Sequence, residues 1–494
     1  MTTPWGEEVL ASPATPWPEY PRPQLVREDW LNLNGIWDLA VVAGSDSAPT
    51  EYGETIRVPF PVESSLSGVG RRLGVVDRLW YRRRFRVPAG WSGRRVLLHF
   101  GAVDWETAVF VDGEAAGAHQ GGYDAFAFDI TPFLQGGGDH ELVVRVRDPT
   151  EGDQPRGKQS DRPEGIFYHP SSGIWQTVWL EPVPERRVQD VLVTPDLAAG
   201  ALQVRVLAND LRDDARVEIQ ALLDGQPAGA ASGAPGATVT VPLQPAEAWS
   251  PENPVLYDLS IRLLDGTALQ DRVRSYAGLR EIRLGLNERG HRVLFLNGRP
   301  LFQIGVLDQG YWPDGLYTAP SDAALRHDLE LARRLGFNLV RKHVKIEPQR
   351  WYYWADRMGV LVWQDMPSGN NTTEEGRARF EVGLQRMLGQ LGNHPCIVMW
   401  VLFNEGWGQF DTVRLVRWLK AADPGRLIDN ASGWTDRRVG EVVDLHSYPD
   451  PQAPAPQPAR ASVLGEFGGV GLVVEGHAWS DRTWSYRGVT GAAG

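Results

Sequence analysis

Met399-Trp400-Val401-Leu402-Phe403-Asn404-Glu405-Gly406-Trp407-Gly408 is a short, almost wholly apolar run that ends abruptly in a carboxylate and two glycines. A strand apolar on both sides is buried on both faces, which is the mark of a parallel sheet covered by helices. A second motif of the same build, Ser462-Val463-Leu464-Gly465-Glu466-Phe467-Gly468-Gly469, follows further along. In a barrel of parallel strands the reactive groups sit at the strand exits, because the strand is rigid there and the next loop opens to solvent. Two glutamates so placed suit an acid/base and a nucleophile in sugar chemistry.

Working outward from Glu405, the rhythm on either side is strand, helix, strand, helix, as expected of parallel βα units. Leu301 to Val306 reads as a first strand and Phe337 to Val340 as a second. Between them Ser321 caps a helix whose apolar positions Leu325, Leu329, Ala332 and Leu335 keep helical spacing up to Gly336. Pro348 opens a helix that ends at Gly359 before the strand Val360-Leu361-Val362-Trp363. The run Phe380, Leu384, Met387, Leu388, Leu391 leads through Asn393-His394-Pro395 into the Glu405 strand. Asp411 to Ala422 is another helix, and Leu427 to Asn430, Val442 to Leu445 and Ser462 to Leu464 are further strands.

Upstream the period changes. From Trp37 to about Pro184, short alternating runs such as Trp80 to Val87 and Thr107 to Val111, the latter closed by Asp112-Gly113, predict a β-sandwich with no long helix. From about Glu185 to Gly285 more short strands, separated by small, turn-prone segments, predict an immunoglobulin-like sandwich. The expected domains are therefore 1–184, 185–285 and 286–494.

Composition narrows the class. With 494 residues, 42 % hydrophobic and 23 % charged, the chain is too long for one core. A net charge of -12 argues against a nucleic-acid or anionic-membrane partner. The N-terminus lacks the basic head and apolar run of a signal peptide, and no apolar stretch reaches membrane-spanning length, so a cytoplasmic location is expected. Cys396, the single cysteine, reads as a buried thiol rather than a nucleophile. The 20 tryptophans fit a carbohydrate protein, since indole faces stack on sugar C–H surfaces, although most are expected in the core. Four lysines among 50 basic residues (Lys158, Lys342, Lys345, Lys420) reflect a bias toward arginine. His343, His394 and His446 stand on different loops without short ligand spacing, so no metal site is expected.

Several segments together resemble glycoside hydrolase family 2, the family of β-galactosidases, β-glucuronidases and β-mannosidases. They are Arg27 to Trp37, Trp80-Tyr81-Arg82-Arg83, Gly173 to Glu181, Asn393-His394-Pro395 and Asn404-Glu405. The resemblance implies a jelly-roll domain, an immunoglobulin-like domain and a (β/α)8 barrel in that order. It implies a retaining exo-glycosidase of the β-galactosidase kind, with Glu405 as acid/base, Glu466 as nucleophile and Asn404 on the sugar 2-hydroxyl. Tyr448 is expected to donate to Glu466, and the aromatic neighbours Trp400, Phe403 and Trp407 to surround Glu405. His446, Asp365, Asp308 and Trp434 are expected pocket walls; Lys342 and His343, with Arg341, either bind sugar hydroxyls or pair with Asp365. No cofactor is required, although the family allows Mg2+ or Na+ near the site and leaves a homo-oligomer open. The partner is a carbohydrate, an oligosaccharide or glycoside.

The segment from 286 onward is shorter than the roughly 250 residues of a usual barrel, and no eighth strand is apparent, so the barrel reads as C-terminally shortened. The gap would be closed by a partner, filled by Thr2 to Tyr20, or left open with weak stability. The last case leaves an alternative function, a carbohydrate-binding protein with an inactive, unclosed barrel. The segments after the second and third strands, Arg341 to Lys345 and Trp363 to Pro367, match no familiar sugar specificity, so pyranosides and furanosides both stay open.

Overall fold

A computed structural model describes residues 1–135, 138–478 and 483–491. The N-terminal sandwich packs a four-stranded antiparallel sheet against a six-stranded one. Its core is made by the inward halves of alternating strands, among them Trp37, Tyr81, Leu98, Val109 and Val144. The second sandwich pairs a three-stranded sheet (Val188–Asp196, Ala201–Ala208, Thr238–Pro242) with a four-stranded one, around Val204, Ile219, Tyr257 and Ile261. A hairpin of Ile282–Leu286 and Arg292–Leu296 then crosses the expected boundary at 285 and leads into the barrel.

Seven parallel barrel strands follow: β1 (Gly305–Asp308), β2 (Leu339–Lys342), β3 (Leu361–Asp365), β4 (Ile397–Val401), β5 (Leu427–Asp429), β6 (Val442–Ser447) and β7 (Ala461–Phe467). The first five form one continuous ladder, and β6 pairs with β7. Between β5 and β6 the join is a bridge from Asp429 to Gly440 and a bond from Glu441 N to Ile428 O at 3.0 Å. The helices lie where the apolar spacing put them: α1 (Asp322–Arg334), α2 (Gln349–Met358), α3 (Glu374–Leu391) and α4 (Thr412–Ala422). Ser321 caps α1 by accepting from Ala324 N, and Gly359, at φ +70°, ends α2.

Among the described residues no strand pairs with the outer edge of β1 or of β7. A cavity of about 830 Å3 lies along this seam and runs up to the carboxylates, lined by Gly305, Leu307, Ser462, Leu464 and Glu466 among others. The N-terminal segment does not fill it. Its helix, Pro4–Ala11, is tied elsewhere: Thr3 N and Oγ1 both donate to Asp314 Oδ2 at 2.7 Å, Trp5 packs edge-on to Trp312, and the Trp17 indole donates to Ala319 O.

The sandwiches are sewn onto the barrel. The Asn393 side chain donates to Val191 O and accepts from Val193 N, pairing its amide with a strand of the second sandwich, and Arg280 donates to the carbonyls of Pro395, Ile397 and Gly425. His394 is wholly buried with Nδ1 2.6 Å from Asp356, a structural role. Cys396 is free and buried, and burial pushes its thiol well above the usual range.

Candidate active site

Glu405 stands one turn beyond β4, where the backbone breaks into the left-handed region. Its φ is +51°, followed by Gly406 at +82° and Gly408 at +59°. A glutamate held there costs about 1–3 kcal/mol, and such strain persists where the surroundings over-determine it. Here Glu405 N donates to Ser432 O at 2.8 Å, and the side chain is hydrogen-bonded to His446, whose Nδ1 is 2.8 Å from Oε1. Trp400 and Phe403 do not surround the carboxylate as expected. They turn into the helix layer instead: Trp400, on β4, donates to Asp423, and Phe403, past the end of β4, stacks on Phe380 at 5.1 Å. Trp407 turns to stack on Phe167 of the N-terminal sandwich at 5.6 Å.

Glu466 lies near the end of β7, after a register shift between Leu445 and His446 on β6 that re-aims the strand end. Arg341 Nη1 donates to its Oε1 at 2.8 Å, and the Tyr448 hydroxyl donates to its Oε2. Burial pushes the Glu466 carboxyl up, but the Arg341 charge, helped by His343, His446 and the Tyr448 bond, outweighs it and holds the group below the usual carboxylate range. Tyr448 is in turn kept protonated by burial and by the Glu466 charge.

Arg341, at the end of β2, organises the floor. Its Nε and Nη2 grip Asp365 at 3.0 and 2.9 Å, and Nη2 also donates to Asn404 Oδ1 at 2.9 Å. Asp365 further holds His343 Nδ1 at 2.9 Å. One guanidinium thus fixes Asp365, Asn404 and Glu466 together, using the planar fork that lysine lacks. Asp365 and His343 lie beneath the floor, at most 1 % exposed, and position Arg341 rather than line the cavity. Lys342 and Asp308 are brought to each other at 2.6 Å, with Glu347 at 2.9 Å from the ammonium, outside the cavity that Glu405 and Glu466 line. Trp434 stands on the rim, 57 % exposed, edge-on to His446.

Ligand atoms of Glu405, His446 and Glu466 all lie within 4.8 Å of one another. Sequence reasoning put all three at the barrel mouth but did not foresee how closely they meet, because they come from different strand ends and share no short ligand spacing. Sequence reasoning also left out Ser432, whose hydroxyl lies 2.7 Å from His446 Nε2 and donates to Asp444, and Tyr486, stacked on Tyr448 at 3.8 Å. It left out Lys158, which enters the cavity from the N-terminal sandwich. Serine and lysine in loops carry no periodic signal, and no local pattern brings Lys158 across a domain boundary.

The sequence matches three descriptions in turn: "Glycosyl hydrolases family 2, sugar binding domain" over residues 20–184, "Glycosyl hydrolases family 2" over 186–280, and "Glycosyl hydrolases family 2, TIM barrel domain" over 290–465. A β-galactosidase of Aeromonas hydrophila is 29 % identical over 85 % of this chain and 43 % of its own length. A β-glucuronidase of Paenibacillus borealis is 26 % identical over 83 % of this chain and 73 % of its own. A putative β-glucuronidase of Formosa agariphila is matched over 39 % of its length, so this chain spans well under half of some relatives. Among solved structures, a Ruminococcus gnavus β-glucuronidase in complex with an N1-substituted uronic isofagomine superposes with TM-score 0.72 at 19 % identity, over 86 % of this chain and 77 % of the other. Three consecutive domain matches, covering most of the chain in the order its sandwiches and barrel are laid out, place this protein in glycoside hydrolase family 2.

Proposed function

We propose that the protein hydrolyses terminal glycosides by double displacement, with Glu466 as nucleophile and Glu405 as acid/base. The observation that carries this reading is the approach of the two glutamates, with ligand atoms within 4.8 Å. An approach this close between one oxygen of each suits a retaining site, whose carboxyls stand about 5–5.5 Å apart. The partners divide the roles. Glu466, beside Arg341 and held ionised, attacks the anomeric carbon; Tyr448 keeps it aimed. Glu405, lacking an arginine partner and bonded to His446, gives its proton to the leaving oxygen and then takes one from water. Asn404, whose carbonyl is taken by Arg341, has its amide NH2 free among the described residues to donate to the sugar 2-hydroxyl.

The reaction needs no metal. The Glu405, His446 and Glu466 cluster is a poor fit for Mg2+ or Na+, which favour oxygen ligands: one donor is an imidazole, both Glu466 oxygens are engaged, and the Arg341 charge repels a cation. The β-galactosidase and β-glucuronidase relatives support a β-glycoside as substrate.

The test is intact mass after exposure to a panel of activated 2-deoxy-2-fluoro glycosides, pyranose and furanose. A stable adduct mapped to Glu466 is expected. Sugar binding with no adduct and no release would favour a carbohydrate-binding protein with an inactive barrel.

A further inference from the structure

One cation in the catalytic cavity comes from outside the barrel. Lys158 belongs to the loop between Asp148 and Ser172 of the N-terminal sandwich, is 6 % exposed, and lines the same cavity as Glu405, Glu466, Arg341 and Tyr448. Its loop is docked firmly on the barrel. Arg156 N and Gly157 N both donate to Ser368 O at 2.9 Å, and Tyr168 N donates to Lys158 O at 3.1 Å. Asp153 accepts from the backbone and hydroxyl groups of Thr372 and Thr373 at the start of α3. Gly157 has φ +62°, and a Cβ there would sit 2.6 Å from Val344 O, so only glycine permits this approach. Lys158 is therefore presented by a rigid frame rather than waving at the rim.

Among the described residues no carboxylate pairs with the ammonium. Arg341, Lys342 and Lys345 each hold a carboxylate, whereas Lys158 makes no hydrogen bond or ion pair with its side chain among the described residues. It faces the Trp407 ring, with the centroid 5.9 Å from Nζ. Burial pulls its pKa down, while Glu466 and Glu405 oppose this without touching it; both Glu466 oxygens are taken by Arg341 and Tyr448, and Glu405 Oε1 by His446. A bound sugar would strip Lys158 of its remaining water. A hydroxyl replaces one hydrogen bond, but only an anion also offsets the charge, and a buried cation left uncompensated disfavours whatever buries it.

We infer that Lys158 determines specificity, selecting glycosides whose sugar carries an anionic group, a carboxylate or a sulfate. This rests on the hydrolase reading above. The test measures kcat/KM for neutral, carboxylated and sulfated 4-nitrophenyl glycosides, in pyranose and furanose forms, with wild type, Lys158→Met and Lys158→Arg, after matching their thermal melts. In the wild type an anionic glycoside should exceed its neutral counterpart by about tenfold or more, the discrimination one charge-assisted hydrogen bond supplies. Lys158→Met should erase that ratio, chiefly through KM, and Lys158→Arg should restore part of it. The substrate that responds, carboxylated or sulfated, identifies the anion. The wild-type preference should also weaken with added salt. A wild type that prefers neutral glycosides, or an anionic preference that survives Lys158→Met, overturns the inference while leaving the hydrolase reading intact. No turnover of any glycoside and no label on Glu466 overturns both.

Discussion

At the scale of single residues, Arg341 decides how the site behaves. It is buried, and it bonds Asp365, Asn404 and Glu466 at once, so removing it strands two carboxylates in a dry floor. Arg341→Met is expected to cost about 3–5 kcal/mol of stability, as breaking a buried pair does, and to lower kcat far more than it raises KM. Denaturant melts and steady-state kinetics check both. The depressed Glu466 also sets a pH expectation. The nucleophile stays ionised below the usual carboxylate range, so the acid limb of kcat/KM should fall below about pH 4.3, the unperturbed glutamate value. An acid limb above pH 5 would contradict the assignment. Replacing Glu405 by Gln should slow hydrolysis about 100- to 10,000-fold for poor leaving groups and much less for activated ones, since only the former need its proton. Both glutamates were legible as candidates in the sequence because each closes an apolar strand. Arg341 was legible only as one of a charged trio, Arg341-Lys342-His343. Alternation along β2 sends Arg341 inward to the cavity and Lys342 to Asp308, a split that needs the strand's registration to see.

At the scale of elements, periodicity found the seven described barrel strands and the four barrel helices, because burial on both faces of a strand and one face of a helix leaves a strong pattern, but it set β1 about four residues and β2 about two residues too early and did not find the helix Pro4–Ala11. It missed the features that aim the side chains. The left-handed φ of Glu405 and the shift between Leu445 and His446 are each set by one or two residues, and no period records them. Gly433 shows how tight the result is. It has φ +106°, and a Cβ there would lie 3.2 Å from both Glu405 Cγ and His446 Nδ1. Gly433→Ala should therefore push the acid/base from its histidine, lowering kcat about tenfold to a hundredfold by misplacing a catalytic group, with only a modest fall in melting temperature. A variant with wild-type kcat would show that the contact is not needed.

At the scale of the whole molecule, the sandwiches are fastened to the barrel by Asn393, Arg280 and the Asp153 loop, while among the described residues no strand joins β1 to β7 and a seam lies between them. Phe302, 83 % exposed, lies on one side of it with Ile304 and Leu307, and Phe467 and Val470 lie on the other. Such a face lowers the local cost of opening, since strands there lack ladder bonds on one side and leave apolar area in water. Backbone amides of β1 and β7 should then exchange with solvent much faster than those of β3 and β4, which are paired on both edges. Because Glu466 rides on β7, the same opening would loosen the nucleophile, so substrate or a trapped glycosyl adduct should slow exchange in β7 more than in β3. Hydrogen exchange followed by mass spectrometry, on the free protein and on the adduct, measures this directly. Equal protection around the barrel in the free protein would mean the seam is covered in solution. If protection then falls on dilution, in step with dissociation seen by light scattering, the cover is a second copy of the chain.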